Sequence, residues 1–211
     1  MTPRRSSREE TRNALFDAAL EEFASHGFRN TTHADIAAAV GIGRTTFYEY
    51  FESTEDLLVQ LVEERMPVVV ADIVKAISAD VSPVERMREL GVRTVEFVGL
   101  DHLGLILHTE AMRMTEDSQR RISAAHSGLV GAFAEVFTAG VAAGAFRDLP
   151  VRIAGQLMFQ TVMGAGRSIM DAPEPKQQVH ETAEIAVDFL IRGLSADSET
   201  APRGLSPTSS G

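Results

Sequence analysis

An all-α protein of about nine helices is the fold class this sequence predicts. Three observations predict it: no stretch alternates apolar and polar residues as a half-buried strand does, β-branched residues come only in short clusters, and every strong apolar pattern has helical period. With 211 residues, 44% of them hydrophobic and 24% charged, the chain can build one or two domains with a real core. It has no cysteine, which excludes disulfides, thiolate nucleophiles and cysteine metal sites and fits a reducing, cytoplasmic setting. The opening MTPRRSSREETR lacks the apolar run of a secretory signal.

In chain order, residues 1–8 are expected to form a basic arm carrying Arg4, Arg5 and Arg8. A first helix follows over 9–26, where Phe16, Leu20 and Phe23 make one buried stripe and Gly27 comes next as a residue free to take positive φ. Thr32 and Asp35 read as a short-armed capping box that starts the second helix. Ser53 and Asp56 repeat that signature ahead of Leu57, Leu58, Leu61 and Val62, where a fourth helix starts. Pro67 is expected to kink or end it, and a shift in composition places a domain boundary near Met66. Ser82, Pro83 and Glu85 start another helix, with proline where its missing donor is harmless. Further helices are expected over 84–98, 102–113, 117–143, 150–170 and 176–194, and the Ser-, Pro- and Gly-rich residues 195–211 as a disordered tail. The organisation is thus an arm, a head over 9–66, a body over 67–194 and the tail.

Residues 128–146, GLVGAFAEVFTAGVAAGAF, are the most apolar long stretch, so a membrane span has to be weighed. Glu135 in its middle would cost about 2.5–3.5 kcal/mol at a bilayer centre, and alanine and glycine supply little insertion energy. The expectation is a buried core helix and no membrane partner.

The segment TTHADIAAAVGIGRTTFYEYF, residues 31–51, carries the function. A helix-turn-helix needs a small residue where its helices touch, a turn residue tolerant of positive φ, and apolar residues inside the angle. Ala37 supplies the first and Gly41 the second, while Ile36, Val40, Ile42, Phe47 and Tyr50 can supply the third. The spacing gives a helix over 33–39, a turn over 40–43 and a recognition helix over 44–50, with Phe47 inward. Arg44, Thr45 and Tyr48 then project near the amino end of the second helix as candidates for base contacts. Thr32, His33, Thr46 and Tyr50 are better placed for phosphates. The competing reading is an αα-hairpin whose polar groups merely solvate it.

Charge at first argues the other way. The net charge is −10, and the first 66 residues hold 7 arginines and no lysine against 12 acids, or −5. Any DNA contact must therefore come from local distribution, the arginine-bearing arm included.

Residues 11–67, reading TRNALFDAALEEFASHGF, then TT..DIA..VG......FY.YF, then S.EDLL, resemble the TetR family of transcriptional repressors. Beyond Pro67 the likeness is one of architecture, including GAFRDLP at 144–150 ahead of a helix with Gly164 and Gly166. The resemblance implies a body that binds a small-molecule effector, a homodimer joined through a four-helix bundle of the last two helices, and an effector-driven movement of helix four that separates two heads on a palindromic operator. Carried over, the family's base-contact positions fall on Arg44, Thr45 and Tyr48, and its phosphate contacts on Thr32, His33, Thr46 and Tyr50. One position departs: where the family often has a phosphate-binding lysine opening helix four, this chain has Thr54.

Under the same resemblance, the apolar residues Ile153, Leu157, Val162, Val179, Ala186, Phe189 and Leu190 of the last two helices are the expected dimer interface. Phe97, Met112, Phe133, Phe137, Phe159 and Met163 are candidates for an apolar effector pocket. His102, His108, Glu110 and His126 lack the i, i+4 spacing of helical metal ligands, so no metal is expected. No nucleophile elbow, P-loop or dinucleotide fingerprint is present, so neither a cofactor nor an enzymatic activity is expected. The alternatives are a regulator that ignores small molecules or activates transcription and, from another class, a helical small-molecule-binding enzyme.

Overall fold

The computed structural model describes residues 3–78, 80–101, 103–104, 106, 110–170 and 173–196. Among them are nine α-helices: α1 (Pro3–His26), α2 (His33–Val40), α3 (Arg44–Phe47), α4 (Thr54–Lys75), α5 (Pro83–Leu100), α6 (Glu116–Ala125), α7 (Ser127–Ala142), α8 (Val151–Met170) and α9 (Pro175–Leu194). Short 3-10 turns cover Phe28–Asn30 and Ala111–Arg113. The all-α expectation holds. His102 and His108 lie outside the described residues, and among those described no three His, Cys, Asp or Glu side chains converge as a metal site.

The body is organised on α5, which packs against α8 and α9; those two also pack on each other, and α7 on α5 and α8. Glycines permit the closest crossings. A Cβ on Gly91 of α5 would stand 2.7 Å from Val187 of α9, and one on Gly166 of α8 would stand 2.3 Å from Val98 of α5. The carboxyl end of α7 shows the same device. Gly144 takes φ 70°, so Ala145 N–H donates to Gly140 and Gly144 N–H to Val141, and the ring of Phe146 swings back over Gly140.

Four expectations change. Helix α1 begins at Pro3, not residue 9, so the basic arm is the first two turns of that helix, opened by a proline that fits a helix start. Helix α4 continues through Pro67 and past the expected boundary at 66–67. Pro67 faces solvent, where water can meet the carbonyl left without its amide partner, while Met66, Val70 and Ile73 anchor both sides in the core. The helix expected over 117–143 is two, α6 and α7, bent by 46° at His126. Ser195 and Ala196, expected in the tail, are tied down by Ala196 N–H donating to Ala145 at 3.1 Å and a bridge from Ser195 to Phe146. Among the described residues no single helix is long and apolar enough to cross a membrane. Helix α7 instead buries Leu129, Phe133, Val136, Phe137 and Gly140.

The α6–α7 bend is expected to make stability depend on pH. His126 donates Nδ1–H to the Ile122 carbonyl at 2.7 Å. Burial holds its ring below the ordinary histidine value, partly offset by that hydrogen bond. The folded state therefore takes up the proton less readily than the unfolded chain. This contribution is full above the ordinary value, about 6.5, and is lost as pH falls below it. Urea midpoints should drop between about pH 7.5 and 5.5, and His126→Gln should flatten that drop. Equal slopes in both proteins would show that His126 is not responsible.

Candidate nucleic-acid interface

The head is built from local signals upward. Thr32 caps α2: Asp35 N–H donates to its hydroxyl at 3.3 Å, and Thr32 N–H and Oγ1–H donate to the Asp35 carboxylate at 2.8 and 2.7 Å. Those bonds from Thr32 pull the Asp35 carboxyl below its ordinary value. At the other end Gly41 takes φ 77°; Ile42 N–H donates to Ala37 and Gly41 N–H to Ala38, which turns the chain sharply into α3. Ser53 caps α4 by accepting from Asp56 N–H at 3.0 Å.

Packing then fixes α3. Phe47, Phe51 and Phe16 are fully buried, with ring centroids 5.7 Å apart for Phe47 and Phe51 and 5.3 Å for Phe16 and Phe51. Ile36 and Ala37 are buried beside them, and Val40 and Ile42 pack partly buried on the same core. Helix α3 ends at Phe47, not at residue 50, because Glu49 and Tyr50 donate to Thr46 and Phe47 in tighter i→i+3 turns.

The expected DNA-contact residues come from the start of α2, the start of α3 and the turn after α3. Arg44, Thr45 and Tyr48 are exposed, Thr46, Tyr50 and His33 half-buried, and Thr32 exposed. Three of them, Tyr48, His33 and Tyr50, have partners that sequence reasoning missed. Tyr48 Oη lies 3.1 Å from His33 Nε2, and Arg8 sits 5.4 Å over the Tyr50 ring while donating to the Glu49 carbonyl at 3.0 Å. Arg8 thus braces the carboxyl side of the recognition turn. Nothing local couples residues 42 positions apart in sequence, so no signal announced it.

Helix α4 joins head to body. Arg12 pairs with Glu64 and Arg65 with Asp17, tying α1 to α4. On the body side, Glu55 accepts from Thr115 N–H, Thr115 Oγ1–H and Ser118 Oγ–H at 3.0, 2.8 and 2.5 Å, and Arg121 donates to both Glu63 oxygens at 2.8 and 2.6 Å. Arg29 of the head pairs with Glu110 at 3.0 Å.

The pocket candidates divide. Phe133 and Phe137 are buried, Phe97, Phe159 and Met163 half-buried, but Met112 is 80% exposed on its 3-10 turn and lines no enclosed space in this conformation. The interface candidates divide too. Val162, Val179 and Leu190 face the protomer's own core, whereas Ile153, Leu157 and Phe189 are exposed, Ala186 is half-buried, and Ile185, which the sequence reading passed over, is 64% exposed one turn from Phe189.

A three-helix head with a tight helix-turn-helix, set on an all-helical body, defines a helical DNA-binding protein. Two family models match the chain, that of bacterial regulatory proteins of the tetR family over residues 15–61 and that of the tetracyclin repressor-like C-terminal domain over 80–167. The chain belongs to the TetR family of transcriptional regulators. It is 25% identical over 150 residues to the fatty acid metabolism regulator protein of Bacillus subtilis, covering 70% of this chain and 77% of that one. It is 24% identical over 188 residues to the HTH-type transcriptional repressor KstR2 of Rhodococcus jostii, covering 88% and 91%. The solved structure of FadR from Bacillus subtilis, in complex with stearoyl-CoA, has the same fold with a TM-score of 0.74 and 22% identity, over 86% of this chain and 98% of that one. This chain is a DNA-binding transcriptional regulator.

Proposed function

We propose that this regulator is a cytoplasmic, homodimeric repressor without catalytic activity, which holds a palindromic operator in double-stranded DNA and releases it when a small-molecule effector binds the body. The carrying observation is that Arg44 and Thr45, which open α3, and Tyr48, which caps its carboxyl end, are all exposed while Phe47 is fully buried. An acidic head cannot bind through a general field of cations. Affinity has to come from placed donors and from two heads acting together, spaced about one DNA turn, roughly 34–36 Å. The exposed apolar residues Ile153, Leu157, Ile185 and Phe189 on α8 and α9 are suited to join the two copies.

The relatives that regulate fatty acid metabolism, and the stearoyl-CoA in one solved fold neighbour, make a long-chain acyl thioester the first effector to try. The buried Phe133 and Phe137 and the half-buried Phe97, Phe159 and Met163 would line the apolar space such a chain needs once the body opens to admit it. Glu55 and Glu63 on α4 grip the start and middle of α6, so an effector that shifts α6 would carry α4 and the head with it.

Gel shifts on DNA around the gene's own coding region at about 0.15 M salt test the reading. One palindromic fragment should bind more tightly than random DNA. Arg44→Ala, with unchanged circular dichroism, should weaken it by about tenfold per head, and stearoyl-CoA should release the wild-type complex. A protein with no preferred fragment is not this regulator, and unchanged affinity in Arg44→Ala removes its base contact. An acyl thioester that binds while leaving operator affinity unaltered favours a ligand-independent regulator.

A further inference from the structure

We propose that His33 positions Tyr48 and makes it a hydrogen-bond acceptor that reads an amino group in the major groove; the inference rests on the DNA-binding reading above. Tyr48 is 53% exposed yet is held on two sides. Its Oη lies 3.1 Å from Nε2 of His33, the first residue of α2, with the two rings 5.0 Å apart. Its edge stands at 89° to the ring of Phe47, 5.8 Å away, and His33 packs at 5.8 Å on that same buried ring. An aromatic side chain fixed in this way before DNA arrives loses little further freedom on binding.

The chemistry sets the sense of the bond. A phenol has one proton and is a stronger acid than a neutral imidazole N–H, while an unprotonated imidazole nitrogen is a stronger base than a phenol oxygen. The hydrogen bond therefore runs from Tyr48 O–H to His33 Nε2, with the ring proton of His33 on Nδ1. Tyr48 then turns only lone pairs outward. It can accept from the N6 amino group of adenine or the N4 amino group of cytosine, and cannot donate to a phosphate, to guanine or to thymine O4. Arg44, one turn away at the start of α3, is purely a donor suited to guanine, so the pair divides the base edges by hydrogen-bonding sense. Nε2 of His33 is occupied by this bond. The neighbouring amino end of α2 is already capped by the Asp35 carboxylate, which leaves it a poor seat for phosphate.

Two measurements test this. In the free protein at about pH 8, above the ordinary histidine range, nitrogen-15 NMR should find no proton on Nε2 of His33, and its resonance should move in Tyr48→Phe. A protonated Nε2 overturns the proposal whatever the DNA does. On the operator, His33→Phe and Tyr48→Phe should each weaken binding by about tenfold, the double variant should lose little more, and His33→Gln, which keeps an acceptor, should recover most of the loss. Operators in which single adenines or cytosines are replaced by analogues lacking the amino group should reveal one position per half-site that costs the wild type but neither Phe variant. Independent, multiplicative losses overturn the proposal. So does a Tyr48 effect that responds only to neutral methylphosphonate links. A wild-type protein without any operator is the failure of the DNA-binding reading, seen before a variant is tested, and it takes the base-reading half of the proposal with it.

Discussion

Gly140→Ala should destabilise the protein by about 3 kcal/mol, lowering the melting temperature by about 6–12 °C. The added Cβ would stand 2.0 Å from Cδ2 and 2.4 Å from Cε2 of Phe146. That ring has nowhere to go. It is buried and lies parallel to Phe137 with centroids 6.0 Å apart, and the backbone at Phe146 and Arg147 is fixed by donation to Gly140 and Leu194. Gly131 on the same helix is the control, because a Cβ there meets nothing within 4 Å. Gly131→Ala should raise stability by about 0.5–1 kcal/mol through helix propensity alone. Two identical chemical changes on one helix thus carry opposite expected signs in a thermal melt, and a fall of similar size in both would refute the packing account.

The second large effect concerns assembly. If the proposed dimer forms through this face, a double change of Ile185→Asp and Phe189→Asp should convert it to a folded monomer and reduce operator affinity by about 100-fold or more, since one head then binds without its tethered partner. These side chains are 64% and 75% exposed in the protomer, so the fold itself should survive. Leu190→Asp, next in sequence but only 6% exposed, should instead unfold the chain by burying an unpaired charge. Sedimentation and circular dichroism separate the cases. A double variant that remains dimeric would move the interface elsewhere.

Much of the head was legible because its determinants are local. Thr32 with Asp35, Gly41, and Ser53 with Asp56 act over four residues or fewer, and all do in the structure what their spacing implied. The recognition turn was legible in placement but not in length, since α3 ends where Glu49 and Tyr50 enter tighter i→i+3 turns, with Phe51 packed on Phe47 and on Phe16 of another helix. Periodicity announced apolar stripes on α8 and α9 without saying which edge faces inward. A helix lodged between two neighbours has a stripe wider than one contact, so Val162, Val179 and Leu190 looked the same as Ile153, Leu157 and Phe189. Contacts such as Arg29 with Glu110, 81 positions apart, and the Tyr48–His33 bond depend on how the elements stack and leave no mark in the local pattern.

The passage of α4 through Pro67 without a break has a mechanical consequence. Its 22 residues form a lever of about 33 Å, nearly the spacing of two half-sites on DNA. A tilt of about 10° at the body end sweeps the other end through about 6 Å. In the proposed dimer, two such arms swinging oppositely would double that travel, enough to put both recognition helices out of step with the groove. Had the proline broken the rod, the joint would absorb that swing; under the proposed mechanism an unbroken one would hand it to the DNA.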